Sequence, residues 1–393
     1  MRVAYVCADA GIPVFGSKGC SIHVQEFVRA LMQAGAEVRL YASRIGGTPP
    51  RDLHRAGVCE LLIDLGGDVA QRERAALAAN ADVLRALERD GPFDLVYERY
   101  ALFSFSGMEY ARAIGVPGVL EVNAPLIEEQ AEYRQLIDRK GAESAARRAF
   151  KAASVLIAVS QEVALYLDQF VEASGRVEVV ANGVDADEFK PRPGNVRAEG
   201  FTVGFVGSLK PWHGLPDLIE AFSRLKQLAA DPRLLIVGDG PERNRLEEDL
   251  AARGLVEAVQ LTGAVAHSEV PALLASMDAA VAPYPKLDNF YFSPLKVFEY
   301  MSAGLPIVAS RTGQVAQLIE DGVTGLLYQP GDVGAMSEAL MRLRSDPQLR
   351  VDLGRAARAT ILRGHTWKTI VERILEISRR NQTSVTPNQR VAN

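Results

Sequence analysis

Short runs rich in β-branched residues alternate with amphipathic helical patterns along almost the whole chain, and this alternation constrains the fold more than any other feature. Strands joined by such helices are typical of parallel βαβ units. The candidate strands are residues 2–8, 37–42, 94–97, 117–122, 155–159 and 177–180 in the first half, and 201–206, 233–237, 258–261, 279–283, 306–309 and 326–328 in the second. The pattern therefore predicts two doubly wound α/β domains.

A turn-forming, Pro- and Gly-rich segment at residues 182–194 separates the two series of strands. A length of 393 residues fits two domains. We expect an N-terminal domain over residues 1–185 and a C-terminal domain over residues 186–365. A last amphipathic helix is expected at residues 366–383, and the polar tail 384–393 is expected to be disordered.

Composition limits the classes of function. The net charge is −5, from 44 basic and 49 acidic residues, which gives no electrostatic basis for nucleic-acid binding. The three cysteines form no C-x-x-C pair, so a disulfide scaffold or structural zinc site is not expected, and a reducing compartment fits. The amino terminus lacks a signal-peptide pattern, and no apolar stretch approaches the roughly 18 residues of a spanning helix. We expect a cytoplasmic protein.

The loop between the first strand and the first helix, residues 9–21, carries Gly11, Gly16 and Gly19. Glycines let a backbone approach a phosphate closely, and the amino terminus of a helix favours negative charge. Ser21 is the predicted cap of this helix. A long glycine-rich turn without a ligand is the alternative interpretation. The G-x-G-x-x-G spacing is absent, so NAD binding is disfavoured.

The strongest local signal is Tyr-Phe-Ser-Pro-Leu-Lys-Val-Phe-Glu-Tyr-Met at residues 291–301. Ser293 is predicted as the N-cap of a helix and Pro294 as its first residue. Lys296 would then lie in the first turn, where the helix dipole disfavours a cation unless an anion binds there. Glu299, about 5–6 Å further along, would accept hydrogen bonds from sugar hydroxyls. The alternative is a Lys–Glu pair on a solvated helix face.

The second half resembles glycosyltransferase family 4 in a series of collinear motifs, and the first half resembles it more weakly. The motifs are Asn-Gly-Val-Asp at 182–185, Phe-Val-Gly-Ser-Leu-Lys-Pro-Trp-His-Gly at 205–214, Val-Gly-Asp-Gly at 237–240, Leu-Thr-Gly at 261–263, Phe-Glu-Tyr-Met-Ser-Ala-Gly-Leu-Pro at 298–306, Asp-Gly-Val-Thr-Gly-Leu-Leu at 321–327, and Trp367. The resemblance implies the GT-B fold, with two facing Rossmann-like domains and an interdomain cleft. It also implies that helix 366–383 packs back on the N-terminal domain.

The same resemblance implies a retaining glycosyltransferase of the hexosyltransferase type. Such an enzyme moves a sugar from a nucleotide-sugar donor to a hydroxyl acceptor, with UDP the first expectation for the nucleotide and GDP the next. No aspartate-x-aspartate motif lies near the strand-end loops, so neither a metal ion nor a further cofactor is expected. A transfer of this kind has no obvious protein nucleophile, so positioning and a preorganised positive field are expected to lower the barrier.

Roles in the second half follow residue by residue from the resemblance. Glu299 matches the second glutamate of the family's Glu-x7-Glu motif, which implies contact with the nucleotide ribose. The first glutamate is replaced by Tyr291 in this chain. The backbone around Phe292 and Ser293 is therefore expected to take over the contact with the donor sugar. The segment around Val265 corresponds to the backbone that meets the base.

Positive charge for the diphosphate is expected from two lysines. The family's Arg and Lys after the first strand of the second domain correspond to Ser208 and His213 here. Lys210 and Lys296 are expected to supply the missing charge, with His213 contributing to the same field. Lys210, Lys296 and Glu299 are thus the predicted catalytic residues. The alternative for His213 is a helix-start histidine satisfied by backbone.

The first half contributes fewer candidates. Asn123 stands where the family has a histidine near the donor sugar. Gly16 and Gly19 match the loop that closes over the diphosphate. The basic stretch 134–151 is compatible with peripheral contact to an anionic membrane, although its interleaved acidic residues are typical of a solvated helix face.

Two other functions stay open at this point. A sugar-nucleotide epimerase also uses two facing Rossmann-like domains, and it would alter its substrate without any acceptor. A sugar-nucleotide-binding protein without turnover is the other alternative, because Ser208, Tyr291 and Asn123 replace residues of the family pattern. Dependence of donor consumption on an acceptor discriminates among the three.

Overall fold

The computed structural model describes residues 1–63, 66–192, 200–287 and 290–383. The chain divides into two compact units. The first contains Met1–Asn182 together with the chain from Trp367 onward, and the second contains Gly183–Thr366.

The boundary between the units lies at Asn182, slightly before the expected residue 185. Residues 193 and 194 of the expected linker lie outside the described residues. The tail 384–393, for which we expect disorder, lies outside them as well.

The first unit is built on a seven-stranded parallel sheet in the order β3-β2-β1-β4-β5-β6-β7. Its strands are β1 (Arg2–Cys7), β2 (Glu37–Ala42), β3 (Gly57–Glu60), β4 (Leu95–Arg99), β5 (Gly118–Val122), β6 (Val155–Ala158) and β7 (Val177–Val179). Its first seven helices are α1 (Gly19–Gln33), α2 (Val69–Ala78), α3 (Asn80–Asp90), α4 (Ser106–Ile114), α5 (Leu126–Tyr133), α6 (Arg139–Ala152) and α7 (Gln161–Leu167). The strand order reverses between β1 and β4, which makes that position the topological switch point.

The central strands β1, β4, β5 and β6 are buried along almost their whole length, as a parallel sheet covered by helices on both faces requires. Strand β3 is the one strand that the sequence did not predict. It pairs residues 57–60 with residues 39–42 at the edge of the sheet. None of its residues is fully buried, and Val58 is its single β-branched residue, so no apolar run marks it.

The second unit contains a six-stranded parallel sheet in the order β10-β9-β8-β11-β12-β13. Its strands are β8 (Phe201–Val206), β9 (Pro232–Val237), β10 (Val259–Leu261), β11 (Ala279–Ala282), β12 (Ile307–Ser310) and β13 (Leu326–Tyr328). Its helices are α8 (Leu215–Leu228), α9 (Arg243–Ala252), α10 (Val270–Leu274), α11 (Leu295–Ser302), α12 (Gly313–Leu318), α13 (Val333–Ser345) and α14 (Pro347–Gly364). The switch point lies between β8 and β11.

The last helix, α15 (Trp367–Thr383), packs within the first unit against α1 and β6. The Trp367 ring meets His23 edge-on at 5.1 Å and Phe27 at 6.3 Å between ring centroids. Its buried apolar face consists of Ile370, Val371, Ile374, Leu375 and Ile377. Each such side chain stabilises its packed position by about 1.5–3 kcal/mol relative to exposure, so α15 is an integral part of the first unit's core.

Two predicted helix caps are wrong. Helix α1 begins at Gly19 with Lys18 as its N-cap, and Ser21 lies inside the first turn, where its backbone N–H donates to the Lys18 carbonyl at 2.8 Å. Helix α11 begins at Leu295 with Pro294, rather than Ser293, at the N-cap. The ψ of 99° at Pro294 keeps its backbone out of the helical region, so the first helical bond runs from Val297 to its carbonyl.

Candidate active site

Lys296 lies in the first turn of α11, and its ammonium points at the loop that leaves β8. A Cβ at Gly207, the first residue of that loop, would lie 2.7 Å from Nζ. Nζ also lies 4.2 Å from the ring centroid of Phe205 and 5.4 Å from that of Tyr284. Phe205 belongs to β8 and Tyr284 follows β11, the two strands that flank the switch point. The ammonium therefore lies where doubly wound sheets bind their ligands.

The Lys296 ammonium is buried and has no hydrogen-bond acceptor among the residues that the structure describes. Burial lowers the pKa of Lys296 to about 7, although the Glu299 carboxylate raises it in part. A buried cation without an acceptor is costly, and two aromatic faces compensate for only part of the lost hydration. An anion bound beside Gly207 would satisfy it.

The loops after β8 and β9 are packed backbone to backbone. Gly238 has φ 133°, and a Cβ there would lie 2.1 Å from the Gly207 carbonyl oxygen. A Cβ at Gly240 would lie 2.5 Å from the carbonyl oxygen of Leu209. The Gly238–Gly240 turn thus has a structural role. It holds Gly207 opposite Lys296.

The His213 ring is hydrogen-bonded to the backbone of its own loop. Its Nδ1–H donates to the Ser208 carbonyl oxygen at 2.5 Å. Burial, and then the neighbouring Lys296, lower the pKa of His213 to about 3. The expectation that His213 adds to a positive field is therefore corrected, because desolvation and a nearby ammonium both disfavour its charged form.

Lys210 and Ser208 lie on the same loop as His213. The Ser208 side chain is exposed, and the Lys210 ammonium lies 5.6 Å from the Trp212 ring centroid. Lys210 lies in the loop that leaves β8, and Lys296 lies in the first turn of α11.

Glu299 lies one helical turn beyond Lys296, and its side chain is 13% exposed. Its Oε1 lies 3.2 Å from Nε2 of His267, which is 21% exposed. Sequence reasoning missed His267, although a histidine in a loop at the end of β10 is a recognisable signal. The contact joins α11 to the segment after β10, and only the fold brings these two elements together.

The remaining candidates of the second unit surround the start of α11 and the end of β10. The Phe292 ring packs on Tyr291 at 4.5 Å and on Phe290 at 5.4 Å between centroids, and Phe290 continues to Tyr284 at 4.8 Å. Ser293 is half-buried, immediately before the helix. Val265, also half-buried, lies in the loop between β10 and the turn that begins at His267. An aromatic chain thus connects Tyr291 to the rings around Lys296.

In the first unit, Gly16 and Gly19 have different environments. The Gly16 N–H donates to the Pro13 carbonyl at 2.8 Å, and its own carbonyl accepts from the Gln25 side chain at 2.9 Å. Gly19 is exposed and is the first residue of α1, where amides lack an intrahelical acceptor. Gly19 is therefore the more accessible of the two for an anion.

Asn123 belongs to a buried polar cluster that the sequence did not reveal. Its Oδ1 accepts a hydrogen bond from Arg99 at 2.6 Å. The Glu121 carboxylate lies 2.9 Å from His23 Nε2 and 3.8 Å from Arg99. Burial opposes ionisation, but His23 and Arg99 hold the pKa of Glu121 below its ordinary value. The Arg99 guanidinium thereby fixes the orientation of the Asn123 amide.

All four arginines of the basic stretch 134–151 form ion pairs with acidic side chains. The pairs are Arg134–Glu129, Arg139–Glu128, Arg139–Glu143, Arg147–Glu172 and Arg148–Glu109. Within the described ranges, no helix has the length and apolarity needed to cross a membrane. Across the same ranges, no three His, Cys, Asp or Glu side chains are grouped to hold a metal ion.

Two Rossmann-like units in one chain, each with its own switch point, are the architecture of the GT-B fold. Residues 186–360 match the family model described as glycosyl transferases group 1, and residues 17–188 match that of glycosyltransferase family 4. The chain belongs to glycosyltransferase family 4, and it is a glycosyltransferase.

Individual relatives agree with this assignment. The D-inositol 3-phosphate glycosyltransferase of Pseudarthrobacter chlorophenolicus is 26% identical over 366 residues, which cover 86% of this chain and 85% of that protein. The fold is similar to sucrose-phosphate synthase from Thermosynechococcus elongatus, with a TM-score of 0.76 at 18% identity over 98% of this chain and 100% of that one. It is also similar to Anabaena HepE in complex with UDP, with a TM-score of 0.73 at 22% identity over 97% and 100%.

Proposed function

We propose that this glycosyltransferase transfers a hexose from a nucleotide-sugar donor to a hydroxyl acceptor, with retention of configuration and without a metal ion. The observation that carries the proposal is the buried ammonium of Lys296, which lies at the switch point without a hydrogen-bond acceptor among the described residues. A diphosphate is the anion that a sugar-transferring enzyme of this family would place there.

Residues of the second unit each bind a different part of the donor. Lys296 and Lys210 bind the diphosphate, and Glu299 accepts hydrogen bonds from the ribose. The loop at Val265 meets the base, while the backbone at Phe292 and Ser293 meets the donor sugar in place of the carboxylate that Tyr291 replaces. UDP is the proposed nucleotide, supported by the UDP bound to HepE, which shares this fold. GDP is the second choice.

In the first unit, Gly19 at the start of α1 offers amides to the diphosphate and Gly16 shapes the loop before it. Asn123, oriented by Arg99, contacts the donor sugar. These two regions lie at the carboxyl ends of β1 and β5, the edge of the sheet at which ligands bind.

The transfer depends on charge that develops on the departing diphosphate as the glycosidic bond breaks. An ammonium in a desolvated site stabilises that charge more strongly than water does and needs no reorganisation during the step. The departing phosphate then accepts the proton of the acceptor hydroxyl on the same face of the sugar, which gives retention. Two lysines supply the neutralising charge for which other enzymes use a divalent ion.

A donor screen tests the proposal. Purified protein is mixed with UDP-glucose, UDP-galactose, UDP-N-acetylglucosamine and GDP-mannose, and the donor that raises Tm is then incubated with a panel of hydroxyl acceptors. We expect donor consumption that requires an acceptor, a product with the donor's anomeric configuration by NMR, and an unchanged rate in EDTA. An inverted product overturns retention, and a rate lost in EDTA overturns metal independence.

The same screen separates the two alternative functions. Conversion of the donor's sugar without any acceptor identifies an epimerase. Stabilisation by a donor that is never consumed with any acceptor identifies a binding protein. Either result replaces the proposed transferase activity.

A further inference from the structure

Lys296 and Glu299 stand one helical turn apart on α11, yet they do not form an ion pair. Opposite charges at this spacing normally attract and often pair. Here the Lys296 ammonium faces Gly207, and the Glu299 carboxylate lies beside His267 instead. No ion pair within 4 Å joins the two side chains, although the nearby carboxylate still raises the pKa of the lysine.

The loop that carries His267 is held in place by contacts that do not involve Glu299. The short turn His267–Glu269 is closed by a hydrogen bond of 2.9 Å from the Ala266 N–H to the Glu269 carboxylate. The His267 ring also meets Phe189 edge-on at 5.5 Å between centroids. Upstream, the Gly263 carbonyl accepts from the Gly238 N–H at 3.0 Å, which ties the end of β10 to the end of β9.

A hydrogen bond to a fixed imidazole limits the conformations of the Glu299 side chain, which has three rotatable bonds. Nε2 of His267, 3.2 Å from Oε1, engages one oxygen of Glu299. An ionised carboxylate has about four acceptor positions, so the other oxygen remains available to ligand hydroxyls. Ordering the side chain before the ligand arrives reduces the entropic cost of binding.

We propose that His267 is a positioning residue that keeps the two charges of α11 apart, holding Glu299 for the ribose hydroxyls and leaving Lys296 for the diphosphate. The inference rests on the proposed function, because it takes the ligand to be a nucleoside diphosphate. Without His267, the Glu299 carboxylate turns toward the Lys296 ammonium. The ribose then loses its acceptor, and the diphosphate loses its cation. The imidazole therefore determines how strongly the site distinguishes ribose from 2′-deoxyribose.

The test compares the dissociation constants of UDP and 2′-deoxy-UDP by calorimetry at pH 7. A hydrogen bond to a charged acceptor corresponds to a preference for UDP of roughly 10- to 100-fold in the unchanged protein. Glu299→Gln should reduce this ratio to below about threefold, and His267→Ala should do the same. His267→Gln, whose amide N–H reaches a similar position, should restore most of the preference. His54→Ala, at an exposed histidine of the first unit, is the control.

The outcomes distinguish the positioning role of His267 from the proposed nucleotide site. If neither UDP nor GDP binds the unchanged protein, or if Glu299→Gln leaves the preference intact, the proposed nucleotide site fails. If Glu299→Gln removes the preference while His267→Ala retains it, the site stands and the positioning role of His267 is refuted. A merely structural role would weaken UDP and 2′-deoxy-UDP equally in His267→Ala, and that equal loss also refutes the inference.

Discussion

At the scale of single residues, Lys296 shows how a binding site can be costly to the empty protein. Its Nζ lies 4.2 Å from the centre of the Phe205 ring, and the buried ammonium has no acceptor among the described residues. A folded-state pKa of about 7, against an ordinary value of 10.5, means that the charged form is less stable in the fold than in the unfolded chain. This lysine therefore destabilises the empty protein increasingly as the pH falls from 10.5 through 7, and a bound anion reverses the effect.

Replacing Lys296 with methionine should separate binding from turnover. Methionine keeps the apolar stem over Phe205 and removes the charge, so Tm of the empty protein at pH 7 should not fall. The donor affinity should decrease by only about 3- to 10-fold, whereas kcat should decrease by about 10²-fold or more, because the diphosphate charge grows in the transition state. Calorimetry and initial rates measure the two effects, with Lys226→Ala on α8 as the control. Normal turnover in Lys296→Met would show that the phosphate binds elsewhere.

The same lysine predicts a pH dependence of donor binding. The donor binds the protonated ammonium, so the occupied site has a pKa above the value of about 7 in the empty site, and binding takes up a proton. Affinity for UDP-glucose should therefore fall about 3- to 10-fold between pH 7 and pH 9, the same loss that Lys296→Met shows at pH 7. Calorimetry in Tris and HEPES measures the proton uptake directly. Equal heats in the two buffers, or the same pH profile in Lys296→Met, would contradict this assignment.

At the scale of elements, the loops at the switch point of the second unit are fixed by close backbone packing. Gly214 begins α8 with φ 66°, and a Cβ there would lie 1.6 Å from the carbonyl oxygen of Pro283, the residue that follows β11. The loop that carries Ser208 to His213 is thereby held against the start of the loop that leads to α11. The distance between Lys210 and Lys296 depends on that contact.

Gly214→Ala should consequently reduce both stability and nucleotide binding. The new methyl group must push the Pro283 backbone away, in addition to the roughly 1 kcal/mol that a left-handed conformation costs alanine. Gly254→Ala is the matched control, because Gly254 has φ 67° and no atom within 4 Å of the added Cβ position. Denaturant unfolding and UDP titration should show a loss well beyond that of the control. Equal losses in the two variants would mean that the contact with Pro283 is not required.

At the scale of the whole molecule, the first unit is assembled from both ends of the chain. Helix α15 follows the entire second unit in sequence, yet it packs on α1 and β6. Trp367 covers His23 and Phe27, and Arg373 donates to the Val179 carbonyl at 3.3 Å. The second unit thus interrupts the first in sequence.

Deleting residues 367–393 should unfold the first unit and spare the second. The deletion removes the buried face of α15, each side chain of which contributes about 1.5–3 kcal/mol, and the sum is comparable with the 5–15 kcal/mol that stabilises a typical domain. Limited proteolysis followed by mass spectrometry should recover a fragment close to residues 183–366. Deleting residues 384–393 is the control and should leave α15 and both units protected. A resistant first unit after the longer deletion would show that α15 is dispensable.

Much of the fold follows from local patterns in the sequence. The apolar runs predict the described strands other than β3, and the prediction of two doubly wound parallel sheets is confirmed by the strand orders. Lys296 and Glu299 were candidates because helical spacing alone puts them one turn apart. Strand β3 and the two helix caps were not predicted correctly. An exposed edge strand and a shift of one residue at a helix end leave no periodic signal in the sequence.

Local patterns in the sequence therefore predict most of the strands and the residues that share one face of an element. Only the tertiary structure decided which charges are desolvated and which are paired: that His213 is neutral, that His267 reaches Glu299, and that Arg99 orients Asn123. The physical reason is that periodicity and turn chemistry act between residues a few positions apart. Burial and side-chain contact join distant residues, as when Arg99 contacts Asn123, 24 positions away, and His23, 76 positions away, so these contacts exist only once the sheets have formed.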